Sequence, residues 1–119
     1  MRSGGQYSRT KRSSQIEGPP YFEVTSILGK RIRTTAPYWE KLVTTKHPRM
    51  RGREKEVQTV LKKADEVRRS RINPGVYLYY KKAREHYTCA VVKHLNDEGF
   101  LITAYLTKAM KIGEVIWKK

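Results

Sequence analysis

The chain has 119 residues, of which 26 are Lys or Arg and 11 are Asp or Glu, giving a formal net charge of +15. Hydrophobic residues make up 38%, enough for one small core, and so large a positive excess points to a polyanionic partner, nucleic acid first and an anionic membrane surface second. One cysteine excludes an intrachain disulfide, no Cys/His spacing suits a metal, and no apolar run approaches the roughly 18 residues of a spanning helix. A reducing cytoplasm, no membrane partner and no cofactor are therefore expected.

Residues 1–18 are rich in Gly, Ser and Arg, have almost nothing to bury, and read as a disordered basic arm. No apolar stretch follows Arg2, so this is not a secretory signal. Residues 19–119 form the single foldable domain. "YFEVTSILGKRIRTT" mixes β-branched residues with a central Gly29-Lys30 and predicts either a hairpin or one strand and a turn. Thr35 caps a helix with Pro37 in its first turn and Trp39, Leu42 and Val43 on one stripe. Pro48 stops that helix near His47. A second helix, "REKEVQTVLKKADEV", places Val57, Val60, Leu61 and Ala64 on its inner face and Glu56 and Lys63 toward solvent.

Four strands follow. "EVRRSRI" turns at Asn73-Pro74-Gly75 into "VYLYYKK", and "HYTCAVVK" pairs with "GFLITAYL" across the loop "HLNDEG". "IGEVIW" adds a candidate edge strand. Helices before strands predict an α+β fold, with N-terminal helices packed on one face of a four-stranded, or slightly larger, twisted antiparallel sheet.

Period-two alternation sorts the faces. Phe100, Ile102, Ala104 and Leu106 point toward the helices, and Thr103, Tyr105 and Thr107 point away. Arg68 and Ser70 take the open face opposite Val67, with Arg69 as the alternative arginine. Tyr79 and Tyr80 cannot be told apart, because both faces of their strand are bulky. Lys93 ends its strand on the parity of Cys89, and Lys108 and Lys111 follow the last strand. Hydroxyls beside cations suit a phosphodiester, since a guanidinium forks two phosphate oxygens and Tyr rings stack bases. A Thr-x-Tyr-x-Thr row is equally ordinary on a solvated strand. His47 is the one residue of the helical half with an ordinary pKa near 6.5; His86 and His94 read as surface residues at strand-end loops, His86 being an alternate base.

"KHP" at 46–48, the acidic helix after it, "EVRRSR", "VYLYY" and "GFLITAYLT" form an ordered set. Over residues 36–117 it resembles the phage- and mobile-element-associated branch of the barnase–EndoU–colicin–RelE-like nuclease superfamily. The resemblance implies a metal-independent endoribonuclease of toxin type, with RNA as substrate and an antitoxin or immunity protein as partner. It maps the helix histidine to His47, the strand Arg/Ser pair to Arg68 or Arg69 with Ser70, and the hydroxyl cluster to Thr103, Tyr105 and Thr107. Tyr79, Tyr80, Lys93, Lys108 and Lys111 would contact RNA. Arg49 stands where many relatives carry an acidic residue. A non-catalytic RNA-binding module and an accessory protein-interaction domain are the alternatives.

Overall fold

A computed structural model describes residues 19–111 and 113–119; the basic arm expected at 1–18 lies outside them. Seven strands form one sheet: β1 (Phe22–Thr25), β2 (Arg31–Thr34), β3 (Glu66–Arg69), β4 (Val76–Ala83), β5 (His86–Leu95), β6 (Glu98–Thr107) and β7 (Glu114–Lys118). Their spatial order is β1-β2-β6-β5-β4-β3-β7. Every pairing is antiparallel except β2 with β6. The α+β class holds, but the sheet exceeds the four strands expected. The N-terminal hairpin docks on it through three parallel pairs, Arg31 with Glu98, Ile32 with Gly99 and Arg33 with Phe100. A Cβ on Gly99 would lie 2.5 Å from the Lys93 carbonyl oxygen, so glycine is what fits this close against the β5 backbone at the point where β2 docks.

Between β2 and β3 lie α1 (Ala36–Lys41), a π turn (Leu42–Lys46), a 3-10 turn (Pro48–Met50) and α2 (Glu54–Lys63). Thr35 Oγ1 accepts from the Tyr38 amide at 3.4 Å and caps α1. The helix then widens, with the His47 amide donating to the Leu42 carbonyl five residues back. Thr45 in this turn returns its hydroxyl to the Lys41 carbonyl, a local bond that competes with regular helix. Trp39, Leu42, Val43, Met50, Val57, Val60 and Leu61 are buried against Val67, Tyr79, Ala90, Val92, Leu101 and Ala104. This is the core on the helix side of the sheet, and α2 supplies the inner face its periodicity predicts. Glu56 departs from expectation. Instead of facing solvent, it takes hydrogen bonds from Thr88 on β5 and from Arg53, which tie α2 down.

Another correction concerns β6. Val91 pairs with Thr103 and Val92 with Leu101, so Ile102 is an extra residue in a bulge. Below it the alternation inverts. Leu101 enters the core in place of Phe100 and Ile102, while Ala104 and Leu106 keep their expected side. The loop expected between β5 and β6 shrinks to a turn at Asn96-Asp97, with Asn96 at φ 57°.

Candidate functional site

The face away from the helices carries its own small cluster of Leu78, Tyr80 and Cys89, with Val91, Tyr105 and Met110 packed on it. Cross-strand partners share a face, so the row Arg68–Leu78–Val91–Thr103 runs across β3, β4, β5 and β6 on this side. Residues 108–113 carry the chain from β6 to β7, with three strands between the two in the sheet. Met110 and Lys111 lie over one end of this face, Met110 packed on the cluster and the Lys111 amide donating to the Tyr80 hydroxyl at 2.9 Å.

The opposite wall comes from the helical half. β2 pairs only with residues 98–100 of β6, which leaves the rest of that edge to α1 and the turns after it. The Tyr38 hydroxyl donates to the Ile102 carbonyl at 2.6 Å, at the bulge. The π turn and the 3-10 turn then pass along β6. This path delivers His47 to the open face, its ring centroid 5.4 Å from that of Tyr105. The result is a groove of about 660 Å³ with His47, Tyr105 and Lys111 at one end and Ser70, Arg71 and Asn73 at the other, over a floor of Leu78 and Val91. It crosses three strand spacings, about 14 Å.

His47, Ser70, Thr103, Tyr105 and Lys111 thus meet in one groove, but their roles differ from expectation. The Thr103 hydroxyl is sealed from solvent and has no hydrogen-bond partner among the described residues. The Tyr105 hydroxyl is sealed as well, facing the Cys89 thiol and the Tyr80 hydroxyl in a geometry that completes no hydrogen bond. Burial raises its proton affinity well above the ordinary tyrosine value, and the neighbouring Cys89 and Tyr80 add to this. It offers a ring, not an acid, to whatever occupies the groove. Thr107 Oγ1 closes its own turn with Ala109, and Ser70 Oγ accepts from the Ile72 and Asn73 amides. The hydroxyl row is therefore covered or engaged rather than open.

The arginine assignment is corrected too. Arg68 lies on the open face, but its Nε bonds Glu66 at 2.6 Å and a terminal nitrogen bonds the Lys111 carbonyl at 2.8 Å. It clamps the crossing segment and does not line the groove. Arg69 pairs with Glu114 on β7. Arg71, two residues beyond the end of β3, reaches the groove with no acidic partner among the described residues. Strand parity could not find it, because alternation ends with the strand.

Neither Tyr79 nor Tyr80 offers a stacking face, since both are fully buried. The Tyr79 hydroxyl, on the helix side, lies 2.9 Å from Ser26 Oγ and 3.0 Å from His94 Nε2, and burial pushes it up to about 12. Lys93 donates to the Pro74 carbonyl at 2.7 Å and braces the β3–β4 turn. Lys108 is exposed on the crossing segment. His94 is not the surface residue expected: it stacks on Tyr77 at 3.9 Å, and burial, followed by the Lys30 charge, lowers its pKa to about 4. His47 is also held below its ordinary value, first by burial and then by Lys46 and Lys111. Among the described residues no cluster of three His, Cys, Asp or Glu could hold a metal, and no helix is long and apolar enough to cross a membrane.

No family model matches the chain, and neither the curated proteins nor the solved structures provide a match.

Proposed function

We propose that the protein is a metal-independent endoribonuclease of toxin type, with the groove as its RNA site. One observation carries this reading. His47, whose charged form is disfavoured by burial and then by two lysines, shares an open groove with Lys111 and Arg71, two cations with no carboxylate partner among the described residues. Support also comes from the helices packed on one sheet face, an arrangement that the resemblance to that nuclease superfamily implies.

In this mechanism His47 removes the proton from a ribose 2′-hydroxyl, whose oxygen attacks the adjacent phosphorus. The bond from phosphorus to the 5′ oxygen breaks, and that oxygen takes a proton from Lys111. The products are a 2′,3′-cyclic phosphate and a 5′-hydroxyl. The Lys111 cation beside His47 offsets the charge that grows on the phosphorane before it gives up its proton, Arg71 at the other end of the groove holds a neighbouring phosphate of the strand, and the Tyr105 ring supports His47 and Lys111, whose Nζ lies 5.4 Å from the ring centroid.

The test is incubation with RNA in EDTA. Fragments ending in cyclic phosphate are expected, with a rate that rises with pH along a limb whose midpoint falls below 6.5. His47→Ala should lower the rate by about 10²–10⁴-fold while binding persists. Intact RNA bound with strong salt dependence would instead establish a non-catalytic RNA-binding module, a reading favoured by the sealed Tyr105 hydroxyl.

A further inference from the structure

We propose that a second hollow, on the far side of the His47–Tyr105 pair, is a phosphate subsite in which Lys46 and Arg49 hold the backbone of an RNA strand as it leaves the groove. The proposal rests on the RNA reading above and extends it to a longer substrate.

The hollow has a volume of about 180 Å³ and is lined by Lys46, His47, Pro48, Arg49, Tyr105 and, at its base, apolar side chains. His47 and Tyr105 line both cavities and are their shared wall. A strand that passes His47 therefore enters the hollow next. No carboxylate lines it. The cations of this segment divide clearly: Arg51 pairs with Glu40 and Arg53 with Glu56, whereas Lys46 and Arg49 have no acidic partner among the described residues. Lys46 Nζ stands 5.8 Å from the centroid of the Tyr38 ring, a contact that keeps it beside the hollow without neutralising it. The Arg49 carbonyl accepts from Arg53 Nε at 2.9 Å, which fixes the backbone while leaving the Arg49 guanidinium free to fork phosphate oxygens. His47 thus sits between Lys111 on the groove side and Lys46 on the hollow side, and both lower its proton affinity.

The experiment measures binding of uncleavable 2′-O-methyl oligouridylates, about two and about eight nucleotides long, between about 50 and 200 mM salt. The variant is Lys46→Ala/Arg49→Ala, with its thermal midpoint compared to the parent as a check on folding. For the longer probe, losing two phosphate contacts should reduce the steepness of log affinity against log salt by about 1.4, at roughly 0.7 per phosphate on a single strand. The short probe, which fits within the groove, should bind the variant and the parent alike. An unchanged slope for the longer probe would overturn the subsite, and so would equal losses on both lengths, which would signal only a weaker overall field. Failure of the parent protein to bind either probe would remove the RNA reading itself, a separate and distinguishable result.

Discussion

Arg68 and Arg71 are three residues apart and do opposite work. Arg68 faces Glu66, whose side chain is 9% exposed, and its own side chain is 23% exposed. Removing the guanidinium would leave a buried carboxylate without its counter-charge and release the Lys111 carbonyl. Arg68→Ala should therefore cost about 3 kcal/mol in urea unfolding. Arg71→Ala should leave the urea midpoint unchanged but weaken RNA binding, because the exposed Arg71 has no intramolecular partner to lose. If the two variants exchanged these effects, the assignment of groove and clamp would be reversed. The sequence shows the cluster "RRSR" but not this division of labour, because the acids that take up Arg68 and Arg69 lie two residues before the cluster and far beyond it. Glu114, 45 residues away, engages Arg69. With 26 basic residues and 11 acidic ones, most cations have no carboxylate, and only the fold decides which.

At the scale of elements, the site depends on where helix and strand stop being regular. The π turn swings His47 toward β6, and the bulge at Ile102 leaves a carbonyl for the Tyr38 hydroxyl. Tyr38→Phe should lower stability by about 1 kcal/mol, the usual net value of such a bond. It should also slow RNA cleavage by more than it weakens RNA binding, because His47 loses the anchor of the helix that carries it. Equal loss in both would mean that Tyr38 merely stabilises the fold. Both helices, the cap at Thr35 and the central antiparallel strands were legible, because each rests on local periodicity and capping. The bulge was not. One extra residue inverts a two-residue alternation, and nothing in "GFLITAYL" marks where. The parallel docking of β2 on β6 was also hidden, since it joins segments about 65 residues apart.

For the molecule as a whole, the clearest pH dependence belongs to His94 on the helix side. In the unfolded chain this imidazole titrates near 6.5, and in the fold near 4. Between those values the unfolded state binds the extra proton, so its contribution to stability is complete above about 6.5 and is lost as pH falls toward 4. Allowing for partial exposure, the effect should be about 2 kcal/mol. Urea unfolding from pH 7 to 4.5 should show the decline, and His94→Gln should flatten it over that window; an equally steep variant would show that carboxylates alone cause the loss.

The lone thiol, Cys89, lies fully buried under the crossing segment, and desolvation pushes its pKa up to about 12. It should resist alkylation while Met110 and Lys111 stay in place over it, and react only when that strap lifts. The rate at which a maleimide reaches it is thus a built-in clock for how often the groove floor comes apart, and an oligonucleotide lodged above should slow the clock.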